Sequence, residues 1–278
     1  MLDALFQYQF LQNAVFASIL ASIVCGVIGV IIVEKRLLMM SGGIAHTAYG
    51  GVGLGYLLGF EPILGAMGFS VAAAFGIGAV KRKGGGGTDV IIAMLWALGM
   101  ALGIAFIGIA PGYPPDMDSY LFGNILSVTR KDLLTMVIMT AVIIAVIFIF
   151  YNDWKLYLFD EEFASIIGLK TTFLEYLLLV MVALTVVVMI RVAGIILVIA
   201  LFSAPAAISQ MLTDKLSKRM IYAIILGILF CLSGLTVSYL WDIASGATII
   251  IISVICYAIA ALIKNLHNKR LLRLKRAK

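Results

Sequence analysis

Long apolar segments follow one another along most of the chain, and short groups of polar, glycine or proline residues separate them. An α-helix crosses the hydrocarbon core of a bilayer in roughly 20 residues, and apolar runs of this length recur as far as residue 264. The pattern predicts an all-α integral membrane protein with about nine transmembrane helices. The predicted spans are residues 13–33, 38–59, 62–80, 89–109, 132–151, 171–190, 194–212, 219–241 and 247–263.

Segment 194–212 differs from the others because Ser203 and Pro205 interrupt its apolar run. Backbone groups freed by a break in a transmembrane helix must find partners in protein or water. We therefore expect this segment to be a broken helix in the interior of the bundle.

The composition excludes a soluble globular domain. Hydrophobic residues make up 63% of the chain and charged residues 12%, against about 25% charged residues in soluble domains. No Lys or Arg precedes the first apolar run, so the N-terminus lacks the basic region of a cleavable signal peptide. Residues 1–264 are predicted to form one polytopic membrane domain, and residues 265–278 a basic tail.

Basic residues cluster at one set of span ends, which predicts the orientation of the chain. When nine spans are threaded, residues 34–36, 81–83 and 215–219 and the C-terminal tail fall on one side. Cytoplasmic loops carry an excess of Lys and Arg, so this side is predicted to be cytoplasmic and the N-terminus to lie outside. The tail is expected to contact anionic lipid headgroups rather than nucleic acid.

Arg130–Lys131 and Arg191 depart from this rule. An explanation for the first pair is that both residues lie on a short helix after residues 121–123. The outward side would then hold the turn at 60–62 and the proline-rich loop at 110–120.

Gly84–Gly87 resemble a nucleotide-binding loop in glycine content alone. A P-loop needs a Lys and a Ser or Thr after its last glycine, whereas Thr88–Asp89 follow here. We interpret the tetraglycine as a flexible turn and predict that the chain is not an enzyme. The cysteines lack the spacing of a metal site and are expected to be packing residues; they are Cys25, Cys231 and Cys256.

His46 is the ionisable residue that lies near the centre of a predicted span. Ionisable residues within a membrane indicate functional sites, and imidazole is a better ligand for zinc than for manganese. His46 is therefore the candidate metal ligand, completed by a symmetry mate or by backbone and water oxygens. The alternative is a neutral packing imidazole that hydrogen-bonds to a backbone carbonyl, Ser41 or Thr47.

The span that carries His46 is rich in small residues. Gly51, Gly55 and Gly59 recur one helical turn apart, and small residues allow membrane helices to approach closely. We expect these glycines to pack helices together along a transport path.

The stretch between the fifth and sixth spans combines an acidic cluster with a short apolar helical pattern. Residues 160–162 favour a helix N-terminus, and Phe163, Ile166 and Ile167 would give that helix an apolar face. Both an amphipathic loop and a docking helix for another protein fit this pattern. The predicted docking residues are Asp160, Glu161, Glu162, Phe163, Ala164 and Gly168.

Four motifs, in this order, resemble the membrane permease subunits of bacterial and archaeal ABC importers for zinc, manganese and iron. They are Ser41–Gly55, LFGNIL at 121–126, FDEEFASIIGL at 159–169 and GIILVIALFSAPAAISQML at 194–212. The resemblance covers almost the whole chain and implies a homodimer around a central path, in a fold similar to that of the cobalamin-importer permeases. It also implies a cytoplasmic ABC ATPase docked at residues 159–169 and an extracytoplasmic metal-binding lipoprotein.

One position departs from the family pattern. The family commonly carries an aspartate four residues before its histidine, on the same helical face, and Gly42 stands there in this chain. Harder ions such as manganese prefer oxygen ligands. The glycine therefore favours zinc over manganese or iron.

These observations predict the permease subunit of an ATP-driven importer of a divalent transition-metal ion, in the cytoplasmic membrane of a bacterium or archaeon. No permanently bound cofactor is expected. The alternative is a gradient-driven secondary metal-ion carrier, although such carriers place several acidic or broken-helix ligands near the midplane. A membrane anchor without transport activity would not explain His46.

Overall fold

The structure is a computed structural model that describes residues 7–82, 88–112, 117–190 and 192–276. Lys83, the tetraglycine at 84–87 and Arg191 lie outside these residues. The described residues form twelve α-helices and one 3-10 helix, with no strand among them. The helices are α1 (Gln9–Glu34), α2 (Leu38–Leu58), α3 (Pro62–Arg82), α4 (Thr88–Ile109), α5 (Met117–Phe122), α6 (Arg130–Ile149), α7 (Tyr151–Phe159), α8 (Glu161–Ile166), α9 (Thr171–Met189), α10 (Gly194–Leu212), α11 (Leu216–Trp241) and α12 (Ser245–Arg276), and the 3-10 helix is Ile125–Ser127.

The predicted all-α membrane fold is confirmed. In the described part of the chain, eight helices have the length and hydropathy of a membrane span, and α2, with 21 residues, is the ninth long helix. α2 has a lower mean hydropathy because glycines and polar residues such as Ser41 and His46 replace large apolar side chains. It packs chiefly between α3 and α4, and a helix shielded by neighbours needs less apolar surface than one that faces lipid.

Ion pairs join the helix ends on one side of the bundle. Glu34, at the end of α1, accepts from Arg219 of α11 at 2.5 Å, and Lys81, at the end of α3, pairs with the buried Glu175 of α9 at 2.5 Å. We call this side the basic face; it comprises residues 34–36, 81–82, 150–171 and 213–219. The basic residues at 34–36, 81–82 and 215–219 lie on this face. The nine predicted spans place these clusters together on one side of the membrane.

The opposite face holds the other helix ends. The hydroxyl groups of Tyr56 and Tyr120 lie 3.0 Å apart, and the Asn13 amide donates to the Val128 carbonyl at 3.1 Å. α1 therefore starts on the opposite face, and α12 ends on the basic face. Helix α12 runs on to Arg276, so the predicted tail begins as a continuation of the last span.

Arg130 and Lys131 are the first residues of α6, a helix of 20 residues. The prediction of a short helix that carries them was wrong. The Thr129 hydroxyl accepts from the Asp132 backbone N–H, and the Asp132 carboxylate accepts from the Thr129 backbone N–H at 3.0 Å. This capping box starts the span at residue 130 and leaves two basic residues on the opposite face.

Helix α10 continues through Ser203 and Pro205, contrary to the predicted break. Pro205 supplies no N–H to the helix. The Ser203 hydroxyl donates within the helix, to the Ile199 carbonyl at 2.9 Å, so its polar group is satisfied without a break. The interior position was predicted correctly, because α10 buries residues such as Leu201 and Phe202.

Two of the four sequence motifs meet on the opposite face. Gly123, in LFGNIL, has a φ of +77°, and Gly194, at the start of α10, has a φ of +68°. A Cβ atom on either glycine would overlap the backbone around the other. This close approach fixes the segment of α5 and the 3-10 helix against the first turn of α10.

Close packing of α2 on α3 depends on glycine. A Cβ at Gly51 would overlap the carbonyl of Gly65, and one at Gly55 would lie 2.6 Å from the Cα of Pro62. Gly59 does not take part in this packing, because a Cβ there would meet no atom within 4 Å. It ends α2 in the left-handed conformation, with a φ of +73°, which is the usual role of a glycine after a helix.

We expect Gly51→Leu to destabilise the protein, because the side chain has no space between the α2 and α3 backbones. Overpacking of this kind costs about 1–3 kcal/mol or more. The measurement is the thermal unfolding midpoint of the purified protein in detergent. Gly68→Leu on α3 is the control, since a Cβ at Gly68 meets nothing within 4 Å; equal midpoints for the two variants would contradict the packing.

Candidate functional site

The backbones of α2 and α4 touch beside His46. A Cβ at Gly99 of α4 would lie 2.5 Å from the Cα of Thr47 and 2.9 Å from the carbonyl oxygen of His46. The Thr47 hydroxyl also lies 3.4 Å from the Leu95 carbonyl of α4. Since Trp96 is three residues before Gly99 on α4, this contact brings the Trp96 side chain to the face of α2 that carries His46.

His46 is buried, with 6% of its surface exposed. Its ring stacks on Trp96, with 4.1 Å between the ring centroids and 16° between the planes. Its Nδ1 atom has no hydrogen-bond partner among the described residues. An unpaired buried nitrogen in a native protein calls for a partner such as a water or an ion.

The two hydroxyls considered as partners for a packing histidine both bond elsewhere. Ser41 donates to the Leu38 carbonyl at 2.8 Å, and Thr47 donates to the Gly43 carbonyl at 2.7 Å. These are hydrogen bonds within α2. Neither hydroxyl donates to the imidazole, and the Nδ1 atom has no hydrogen-bond partner among the described residues.

The described residues gather no cluster of side-chain metal ligands around His46. Within residues 7–82, 88–112, 117–190 and 192–276, no group of three or more His, Cys, Asp or Glu side chains lies close enough to hold a metal ion. The cysteines Cys25 and Cys231 are buried and Cys256 is partly buried, all as free thiols. An ion at His46 would take its other ligands from water, backbone oxygens or a second chain.

The predicted docking segment, residues 159–169, lies on the basic face and comprises the last residue of α7, the short helix α8 and the turn after it. Asp160 caps α8, because its carboxylate accepts from the Phe163 backbone N–H at 3.0 Å. Ala164 is fully buried, and Gly168 ends the segment with a φ of +91°. The helix thus begins at the acidic cluster, where the sequence placed it.

An apolar patch is exposed on this segment. Phe159 is 89% exposed, Ile166 is 82% exposed, and Phe163 and Ile167 are each more than half exposed. Glu162 is also exposed and forms no ion pair among the described residues. Exposed apolar patches next to polar residues mark surfaces that bind another protein or a membrane.

Glu161 belongs to a different contact from Glu162. Its carboxylate accepts from Lys35, in the turn between α1 and α2, at 2.7 Å. The Lys35 Nζ atom also lies 3.6 Å from the centre of the Tyr157 ring, in a cation–π contact. Burial, together with the carboxylates of Glu161 and Glu175, raises the pKa of Tyr157, so the ring under Lys35 is a neutral phenol.

No pattern along the chain indicates this contact. Lys35 and Glu161 are 126 positions apart, and the charge pattern predicts for Lys35 a role in membrane orientation. The sequence pattern predicts one role for the acidic cluster at 160–162, whereas the structure shows three different roles. Asp160 caps α8, Glu161 holds the segment to the α1–α2 turn, and Glu162 faces outward.

Comparisons with known proteins give a consistent result. A model of the ABC 3 transport family matches residues 7–264. An uncharacterised membrane protein of Synechocystis sp. is 44% identical over 254 residues, which cover 91% of this chain and 90% of that protein. The manganese transport system membrane protein MntC of Listeria monocytogenes is 36% identical over 261 residues, 94% of this chain and 93% of its own length.

A solved structure has the same fold. PsaBC from Streptococcus pneumoniae, determined in complex with a Fab, superposes with a TM-score of 0.85 at 30% sequence identity, over 93% of each chain. The match therefore covers most of the chain rather than one motif. The resemblance to ABC-importer membrane permeases is therefore confirmed, and the chain belongs to the ABC 3 transport family.

Proposed function

We propose that the protein is the permease subunit of an ATP-driven importer that carries a divalent transition-metal ion, with zinc preferred, across the cytoplasmic membrane. The observation that carries this proposal is His46, a buried imidazole with an unpartnered Nδ1 at the centre of a helix shielded by its neighbours. Imidazole is among the commonest ligands of transition metals. An ionisable group at this depth marks a substrate pathway.

Manganese is the second candidate, because the Listeria relative is named as a manganese transport protein. The local chemistry favours zinc. Zinc accepts nitrogen ligands readily, whereas manganese prefers carboxylate, carbonyl and water oxygens. Gly42, one turn before His46, supplies no such oxygen from its side chain.

The apolar patch on α7 and α8 supports a cytoplasmic ABC ATPase as the partner on the basic face. The chain has no P-loop of its own, since Thr88–Asp89 follow its tetraglycine, so ATP hydrolysis takes place in that partner. Two copies of the chain would enclose the path, and a metal-binding lipoprotein would deliver the ion at the opposite face. A gradient-driven carrier is less well supported, because no group of three or more His, Cys, Asp or Glu side chains forms around His46 in the described bundle.

The charge distribution supports an orientation with the basic face in the cytoplasm. The opposite face, with the turn at 60–62 and the loop that ends near residue 120, then faces outward. Basic residues in the last turns of α12 would lie against anionic headgroups.

His46→Ala is expected to reduce metal uptake by about tenfold or more, because the path loses its nitrogen ligand. The measurement is uptake of radioactive zinc and manganese by proteoliposomes that hold the permease, its ATPase and the binding protein. His267→Ala, which removes the other histidine of the chain, is the control and should transport at the unsubstituted rate.

Full zinc and manganese uptake by His46→Ala would overturn the assignment of His46. The same proteoliposomes distinguish ATP-driven import from gradient-driven transport. Uptake that continues without ATP and stops when the ion gradient is collapsed would identify a secondary carrier instead.

Ile166→Glu is expected to weaken binding to the ATPase by about tenfold or more, because it places a charge in an exposed apolar anchor. The measurement is the fraction of the ATPase that remains bound to the purified permease after washes with increasing concentrations of detergent. Ile243→Glu, an exposed isoleucine on the opposite face, is the matched control. If both variants retained the ATPase equally, the patch would not be the docking surface.

Charge reversal separates the roles of Glu161 and Glu162. Glu161→Lys should lower the thermal unfolding midpoint, because it sets two cations against each other at Lys35, and adding Lys35→Glu should restore much of the loss. Glu162→Lys should leave the midpoint unchanged. If the Lys35→Glu and Glu161→Lys double variant were no more stable than Glu161→Lys alone, the ion pair would contribute nothing to the fold.

A further inference from the structure

Trp96 lies over two positions of α2 at once. Its ring is nearly parallel to His46, with the centroids 4.1 Å apart. A Cβ built on Gly42 would lie 3.1 Å, 3.6 Å and 3.7 Å from its Cζ3, Cη2 and Cε3 atoms. The indole therefore covers the face of α2 from Gly42 to His46.

Position 42 is the place on α2 from which a second ligand would reach an ion held by His46. Residues four apart stand one above the other on the same side of a helix. A carbon atom at 3.1 Å from a ring carbon is inside the usual contact distance of about 3.5–4.0 Å, and the carboxylate beyond it would need still more room. A larger side chain at position 42 thus competes with the indole for one space.

The indole itself is a poor substitute for a ligand. Its N–H group is a donor and its ring carries no lone pair for a metal ion. Trp96 therefore occupies the space that a ligand at position 42 would need, and it does not coordinate the ion itself.

Helix α4 cannot withdraw easily to release this space. One turn before Trp96, a Cβ at Gly43 would meet Ile92 at 2.9 Å, and one turn after it Gly99 touches the backbone of Thr47. Helix α2 thus packs on the Ile92 side chain before the indole and on the α4 backbone at Gly99 after it. Close contacts at glycines hold membrane helices at a fixed separation. The ring is thus held against α2 by the helix that carries it.

We propose that Trp96 is a specificity-determining residue, which occupies the space that an oxygen ligand on α2 would need and so selects against ions that require such ligands. The inference rests on the proposed function, with His46 as a ligand on the path. It predicts a preference for nitrogen-liganded ions such as zinc over oxygen-liganded ions such as manganese. The preference would be set by α4, a helix that carries none of the ligands.

The test compares four forms of the protein in the reconstituted importer: unsubstituted, Gly42→Asp, Trp96→Ala and the double variant. The readouts are the ratio of manganese to zinc uptake and the binding of each ion to the purified permease by calorimetry. We expect the double variant to raise the manganese-to-zinc ratio by about tenfold or more, because the new carboxylate reaches the ion. Gly42→Asp alone should change this ratio much less, because the indole still blocks the carboxylate.

Trp241→Ala is the matched control, since Trp241 is 71% exposed at the end of α11 and should leave the ratio unchanged. Gly42→Asp with Trp96→Phe gives the same comparison with a smaller cavity if the alanine variants do not fold. The inference is overturned if Gly42→Asp alone raises the ratio as far as the double variant, or if all four forms share one ratio. Absence of transport of either ion by the unsubstituted importer would instead overturn the proposed function, and this inference with it.

Discussion

The structure depends on the close approach of α2 to its two neighbours. Where Gly51 meets Gly65 and Gly99 meets Thr47, no Cβ atom stands between the backbones. Three consequences follow from this one constraint. α2 is shielded from lipid and can carry polar residues, His46 is held at a fixed depth, and Trp96 is pressed onto the face that carries His46. These glycines let a helix that carries polar residues pack closely inside the bundle.

The basic face holds a second set of constraints, made of charges instead of glycines. Glu175 is buried, and an uncompensated buried carboxylate is costly, so its pairing with Lys81 fixes α9 to α3. Lys35 joins the α1–α2 turn to α8 through Glu161 and to α7 through the ring of Tyr157. The docking segment is therefore attached to the transmembrane helices by specific side-chain contacts as well as by the chain itself.

The sequence predicted the features that depend on neighbours along the chain. The nine long helices, the start of α8 at its acidic cluster and the burial of His46 follow from hydropathy, capping and periodicity. Contacts between distant segments were not accessible in this way. The stacking of Trp96 on His46 and the pairing of Lys35 with Glu161 arise only when separate helices come together. Local signals also misled at Ser203, whose hydroxyl donates within α10, and at the Thr129 capping box, which starts a long helix.

A site with one imidazole suits an ion that must leave again. Structural zinc sites bind their ion with about 10–16 kcal/mol, and a path with that affinity would retain it. His46 offers one nitrogen, and the indole beside it adds no ligand. The same helix connects this site to the basic face, because Lys35 precedes α2 by three residues and His46 lies about 12 Å along it at 1.5 Å per residue. Contacts at Gly43 and between Gly99 and Thr47 pack α2 closely on α4 over this length, so one closely packed helix lies between the turn that holds the docking segment and the candidate ligand.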